Sequence, residues 1–359
     1  MPEVRAEFRV PTKDLKDDLP FFTKKLGFRL DEIFPADDPS VAVISGHGLR
    51  LRLDREASEQ PGTIRILTDD PQEFAEGEID LVAPNGSKIE IRELDPPLES
   101  PVTQHSFVVR RLKDQAPWVI GRAGMHYRDL IPDRLGGSII ASHIRIPDAG
   151  PVPDMVHYHT VGFQLIYCYK GWVRLVYEDQ GPEFILGAGD CVIQPPQIRH
   201  RVLESSENLQ VIEIGVPAEH ITTIDHDMEL PNGNYNPDRD FSGQKFCHHK
   251  VAEAVWKPWR IEGFSHRETG INDATQGVAS VQVAKYSGGP TVTTKHNTDI
   301  LFTFVMEGTM TLEGESQEAK PLEPGDAFVI PPGMSTSYSA CSEDLELLEV
   351  SLPGVFETK

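Results

Sequence analysis

The sequence predicts a mainly β protein: two copies of one barrel or sandwich, preceded by a smaller α+β segment. Three observations carry this. From about residue 98 onward, short alternating apolar runs are broken by frequent Gly and Pro turns. The same part of the chain contains an internal repeat. Before it, a helical stretch lies between extended pieces.

The first segment runs to about Pro97. It reads as a strand (VRAEFRVP), a helix (TKDLKDDLPFFTKKLGF) and a series of strands (RLDEIFP, SVAVISG, LRLRLD, GTIRILTDD, SKIEIREL). Thr12 is placed to cap the helix, and Leu15, Phe21, Phe22 and Leu26 give it an apolar stripe. Pro20 predicts a kink or a shortened first turn, and Gly27 ends the helix.

The repeat sets HTVGFQLIYCYKGWVRLVYE from His159 on HNTDILFTFVMEGTMTLEGE from His296, with Gly171 on Gly308. Further on, Gly189-Asp190 and Pro195-Pro196 fall on Gly325-Asp326 and Pro331-Pro332. LQVIEIGVP then falls on LELLEVSLP, which sets Glu213 on Glu349. The lead-ins align Trp118 and Tyr127-Arg128-Asp129 with Trp256 and His266-Arg267-Glu268.

Composition narrows the function. The 359 residues carry a formal net charge of −22 with no basic stripe, which excludes nucleic acid as the natural partner. No apolar run approaches the ~18 residues of a membrane span. The opening MPEVRAEFRV lacks the basic and then apolar pattern of a signal peptide, and the four cysteines form no CxxC. A cytoplasmic protein with reduced thiols, working on a small-molecule substrate away from membranes, is expected.

The candidate site lies in VHYHTVGFQLIYCYKGW, Val156 to Trp172. His157 and His159 share one face of a strand, so both imidazoles can enter one cavity. His200 follows the rigid QPPQ turn. Three imidazoles converging inside a fold suit a divalent transition metal, and without one they would be poorly satisfied.

These residues resemble the cupin superfamily, whose motifs read roughly G-x5-HxH-x4-E-x6-G and G-x5-PxG-x2-H. Gly150 (one residue further away than the pattern asks), His157, His159, Gln164 and Gly171 follow the first; Gly189, Pro195, Gln197 in place of glycine, and His200 follow the second. The resemblance covers about Glu99 to Pro353. It implies two tandem cupin β-barrels, a bicupin: a metal-binding copy at 99–225 and a degenerate one at 226–359. The first 98 residues are similar to a βαβββ module of the glyoxalase-like (vicinal-oxygen-chelate) superfamily, on EFRVPTKDLKDDLPFFTKKLGF and LVAPNGSKIEIREL. That family's metal ligands would fall near Glu7, Arg52, Thr63 and Glu90. Arginine and threonine are poor cation ligands, so a metal-free, structural or dimerising module is expected. Both families self-associate, which implies a homodimer.

Gln164 stands where metal cupins carry glutamate. A carboxamide leaves the cation's charge uncancelled and supplies no built-in base. It either ligates through its oxygen or hydrogen-bonds what the metal holds, and both readings stand. The expected metal set is therefore His157, His159, Gln164 and His200, with Fe first and Ni, Zn, Mn or Cu as alternatives. Gln164, Gln194 and Tyr127 are the candidate catalytic side chains. Tyr158 and Arg199 should face away from the site. The lead-in residues His126, Tyr127, Arg128 and His143 can line a site, but polar surface is the plainer expectation. In the second copy the same columns hold Thr294, His296, Leu301 and Thr336, too few ligands for a metal. Three function classes remain. The first is an Fe(II)-type dioxygenase for a small oxygen-chelating substrate, anionic, dicarbonyl-like or aromatic. The second is a non-redox metal-dependent isomerase, lyase or hydrolase. The third is a non-catalytic small-molecule-binding protein.

Overall fold

The structure is a computed structural model and describes residues 4–35, 37–114 and 118–359. The chain divides into two compact units, Met1–Pro97 and Leu98–Lys359.

The first unit has a four-stranded sheet in the order Phe8–Pro11, Leu49–Asp54, Val41–Gly46, Arg29–Phe34. Only its first pair is parallel. A three-stranded sheet follows, Thr63–Thr68, Lys88–Glu93, Asp80–Val82. Both contribute to one core with Leu15, Phe22 and Leu26 of the helix. The cap of that helix is Asp14, whose carboxylate accepts from the Lys16 amide at 2.9 Å; the Thr12 hydroxyl instead meets the buried Asp18 carboxylate. Pro20 has no amide hydrogen to continue the ladder, and there the helix Leu15–Pro20 passes into a π turn, Phe21–Lys25. Gly27 ends it with φ +73°. Of the four positions compared with metal ligands, Glu7 pairs with Arg50 at 2.8 Å and Arg52 with Asp54 at 3.3 Å. Thr63 and Glu90 lie in the paired strands Thr63–Thr68 and Lys88–Glu93.

The second unit holds two sheet pairs, one per sequence repeat. The first copy's large sheet runs Val119–Ile120, His126–Asp129, Ile140–Ile146, Leu209–Val216, Phe163–Lys170, Cys191–Ile193, Cys247–His249. The second copy's runs Trp256–Pro258, Phe264–Glu268, Ser280–Tyr286, Glu346–Leu352, Ile300–Glu307, Ala327–Val329, Val108–Arg110. The order is the same, and so is a β-bulge, at Cys168/Lys170 and at Val305/Glu307. The last strand of each sheet comes from the leader of the other copy, across the expected boundary at 225/226.

Alternation along these strands sorts the side chains. Leu165, Tyr167, Ile212 and Ile214 point into a core shared with Phe302, Phe304, Leu348 and Val350 of the other copy. Ile166, Cys168 and Val211 point the other way, toward the first copy's smaller sheet, which contains His157–Thr160 and His200–Ser205. Gln164 and Glu213 share that inward parity.

Two expectations are corrected here. Arg128 and His143 are not polar surface: they are 4% and 2% exposed. Trp118, Tyr169 and Phe304 surround the His143 ring, which lies between the two copies. All four cysteines are free. Among the described residues no helix is long and apolar enough to cross a membrane.

Candidate metal centre

His157 and His159 alternate with half-buried neighbours on their strand, and both are buried. His200 opens the adjacent strand directly opposite His157. The turn before it is held by the Gln197 amide donating to the His159 carbonyl at 3.0 Å and the Ile198 amide donating to Pro195. Gln197, where the resemblance calls for glycine, takes glycine's left-handed conformation at φ +61°.

Each ring is anchored through Nδ1: His157 to the Met155 carbonyl at 2.8 Å, His200 to the Ile198 carbonyl at 2.9 Å, and His159 to the Thr222 hydroxyl at 2.9 Å. A carbonyl only accepts, so Nδ1 of His157 and His200 carries the proton and Nε2 keeps its lone pair. The same arrangement holds for His159 when Thr222 accepts. One ligand atom from each ring lies within 4.8 Å of the other two. Burial holds all three rings neutral, lowering His159 to about 2 and His200 well below its ordinary value. For His157, burial acts first and the Arg122 charge adds to it. Three neutral, oriented imidazoles fit a divalent transition metal, and among the described residues this is the only such group.

The rings lie in the wall of a cavity of about 360 Å³. Ile144, Ile146, Ile166, Val173, Leu175 and Val211 make much of that wall apolar. Of the candidate catalytic residues, Tyr127 and Gln194 line it. Burial and the Glu213 charge push the Tyr127 phenol up to about 12, so it is a protonated donor, and it points its hydrogen at Met125 Sδ at 3.7 Å. Its ring packs on Gly121, where an added Cβ would come within 2.7 Å. Gln194 gives its Nε2 hydrogen to the Tyr177 hydroxyl at 2.9 Å, which leaves Oε1 as its remaining acceptor. Gln164 is fully buried and donates from Nε2 to Glu213 Oε1 at 2.7 Å; its own Oε1 has no partner. Tyr158 stacks under Arg199, which pairs with Asp225, and neither lines the cavity.

Sequence reasoning missed four participants. Glu213 lines the cavity, and burial raises the pKa of its carboxyl. Arg122 ion-pairs with the buried Asp154 and reaches His157 Nε2 at 3.0 Å. His220 lines the cavity with its ring 5.4 Å from that of His159, and it fits because Gly215 has no Cβ to meet it at 2.9 Å. Carboxylates nonetheless stand close to the site: Glu213 on the wall and Asp154, whose Oδ2 is 3.7 Å from His157 Nδ1. For Glu213 and Arg122 the repeat held the signal, because Glu349 and Arg260 occupy their positions in the second copy. Nothing in the sequence singled out Asp154 or His220.

In the second copy the same space is closed. Arg260 ion-pairs with Glu349, Tyr338 is buried beside them, and about 10 Å³ remains among Thr294, His296, Leu301 and Thr336. His296 Nε2 is 3.1 Å from the Ile330 carbonyl, so it carries a proton there.

Comparison with known proteins agrees with this architecture. Residues 144–215 match the cupin domain family. Salicylate 1,2-dioxygenase from Pseudaminobacter salicylatoxidans shares the fold with a TM-score of 0.54 at 15% identity, over 72% of this chain and 90% of that one. A formate complex of Lactobacillus farciminis oxalate decarboxylase gives 0.52 at 15%, over 72% and 90%. An oxalate decarboxylase variant from B. subtilis gives 0.52 at 14%, over 74% and 80%. At such identities the likeness is one of fold. No curated protein matches the sequence.

Proposed function

We propose that this chain, whose first copy carries a cupin domain, is a metal-dependent bicupin enzyme of the non-haem Fe(II)-type dioxygenase class, acting on a small oxygen-chelating substrate. In this reading 99–225 and 226–359 are tandem cupin barrels and the first 98 residues a glyoxalase-like module. The observation that carries it is three buried imidazoles, each anchored through Nδ1, converging in the wall of a largely apolar 360 Å³ cavity. A divalent metal on His157, His159 and His200 would supply open coordination positions for a chelating substrate, and iron would add redox chemistry with O2.

The chain's own residues prepare the substrate. Aliphatic side chains hold an apolar ring or chain and exclude water. Arg122, the one guanidinium lining the cavity among the described residues, puts a positive charge beside the cavity that favours an acidic group. Tyr127 donates from its phenol and Gln194 accepts through Oε1, which together fix the orientation of a hydroxy-acid or dicarbonyl. Salicylate, the compound in the name of one protein of this fold, has that combination of ring, hydroxyl and acid.

Glu213 favours a second reading. A carboxyl kept in the cavity by burial can move a proton, as a non-redox lyase or isomerase requires. One experiment separates the two. Fe(II)-loaded protein is given hydroxybenzoates and 1,3-dicarbonyls in an oxygen electrode, and Zn(II)- or Mn(II)-loaded protein is given the same compounds anaerobically. Substrate-dependent O2 uptake by the iron form alone supports the dioxygenase. Anaerobic turnover replaces it with the second reading.

A further inference from the structure

The second copy is closed at its histidine columns, but a larger cavity lies beside them. It measures about 580 Å³ and runs between the leader strands Trp256–Pro258 and Phe264–Glu268 and residues 354–356 of the C-terminal stretch. We infer that this cavity is a metal-free binding site for a small polyhydroxylated carboxylate of the sugar-acid type. The inference does not depend on the three histidines of the first copy.

Strand register orders the floor. Lys257 lies opposite His266 and Glu268 opposite Gln282, with Ser280 two residues further along the same face. Successive rows are two residues, or roughly 7 Å, apart. Asn272 and Asp273 line the cavity from the short helix Ile271–Ala274. They belong to the Ser280 end, because a Cβ on Gly354 would meet both Asn272 and Ala279. The cavity therefore has a cationic end and an acidic end. Lys257 at the first and Asp273 at the second have no ion-pair partner among the described residues. Between them Glu268 accepts from Gln282 Nε2 at 2.5 Å and meets His266 Nε2 at 3.2 Å, yet its side chain is 44% exposed, so lone pairs remain free. Trp259 holds Gln282 in place by donating to its Oε1 at 2.8 Å.

These groups select the ligand. A free ammonium at Lys257 calls for an anionic oxygen. Asp273 and the spare lone pairs of Glu268 call for hydrogen-bond donors, and hydroxyls supply them while also accepting from the Asn272 amide. An α-amino acid carries both of its charges on one carbon, too close to reach from the Lys257 row to the acidic end. A carboxylate bearing a chain of hydroxyls spans the rows.

The first copy is an internal control. Val119, Tyr127, Ser142 and Ile140 hold the places of Lys257, His266, Gln282 and Ser280 there. The second copy packs Leu301 where the first has Gln164, but its leader strip is polar throughout. Three residues lining the cavity keep a buried polar atom with no partner, Arg260 Nε, His266 Nδ1 and Asn272 Oδ1. Such atoms cost stability, so packing alone does not account for a polar strip.

The test uses full-length protein stripped of metal. It is titrated with D-gluconate and D-glucuronate by isothermal calorimetry, with D-glucose and L-serine as the uncharged and zwitterionic comparisons. At least one of the acids should bind at one per chain. Lys257→Val, the residue the first copy carries, and Glu268→Gln should each weaken that binding by about 10-fold or more. Both side chains are exposed, so neither change threatens the fold. His157→Ala should bind as wild type does, which keeps the first copy's cavity out of the result. No saturable binding of either acid would overturn the inference. Glucose or serine binding as tightly as the better acid, wild-type affinity in Lys257→Val, or a loss that follows His157→Ala instead would each overturn it as well.

Discussion

Arg128 and Arg267 hold the same place in the two copies, and each donates to the Gly-Asp turn of the other: Arg128 Nη2 to the Gly325 carbonyl at 2.5 Å, Arg267 Nη2 to the Gly189 carbonyl at 3.0 Å. The aspartates of those turns repeat the exchange. Asp326 accepts from the Leu112 amide and Asp190 from the Val251 amide, both at 2.7 Å. The two arginines are not equally satisfied. Arg267 also reaches Tyr167 and His249, whereas Nε and Nη1 of Arg128 have no partner. Replacing Arg267 by Met should therefore cost about 2–4 kcal/mol and replacing Arg128 by Met about 1–2 kcal/mol. Urea denaturation measures both, and equal or reversed costs would contradict the assignment.

Metal content should follow the first copy alone. His157→Ala, His159→Ala and His200→Ala should each abolish retention of metal through gel filtration, while His296→Ala should leave one metal per chain. Elemental analysis of the purified variants checks this. A second metal in wild type that vanishes in His296→Ala would show that the second copy is not silent.

Acid should weaken the fold in part through His143. Burial and the Arg128 charge lower its pKa from the ordinary 6.5 to about 3. Below pH 6.5 the unfolded chain binds a proton there that the native state refuses, so stability is lost as the pH falls from 6.5 toward 3. The slope is at most about 1.4 kcal/mol per pH unit for this residue. His143→Gln keeps the contacts to Arg128 and Gln210 and should be shallower by one proton. Urea midpoints taken from pH 7 to pH 4 give the comparison.

Arg122→Met removes the cavity's guanidinium. For a carboxylate substrate or inhibitor the binding constant should weaken by about 10–100-fold, or about 1.5–3 kcal/mol, with a smaller change in kcat. An uncharged ligand of the same shape should be affected little. Equal losses for both ligands would mean that Arg122 matters only through Asp154.

Gly121→Ala tests the seat of Tyr127. The new Cβ would meet the ring at 2.7 Å and displace it. Ligand binding in the cavity should weaken while Co(II) affinity stays at the wild-type value. Loss of both would mean that the strain spreads to the histidines.

Much of this was legible in the sequence because it depends on spacing. The i, i+2 histidines, the turn before His200 and the repeat are local patterns, and the strands bring them together as alternation requires. Gln164 was visible, but the identity of its partner was not, because Glu213 lies 49 residues away and its contact depends on sheet register. The lead-in was misread for a related reason. Arg128 and His143 look like surface residues by type, and only the packing of one copy on the other buries them. The Asp14 cap was missed because Thr12 and Asp14 are both good caps, and the structure uses Thr12 to satisfy Asp18 instead.

The exchanged edge strands have a practical consequence. A fragment ending at residue 225 would keep every histidine of the site but lose Cys247–His249, which pairs along Cys191–Ile193. It would also carry Val108–Arg110 with no Ala327–Val329 to lie against. Such a truncation would expose one raw sheet edge and one orphan strand of complementary hydrogen bonding, a recipe for chain-to-chain exchange and precipitation. The half that carries the three histidines is thus not a portable part, and shortening the chain for expression should keep residues 98–359 whole.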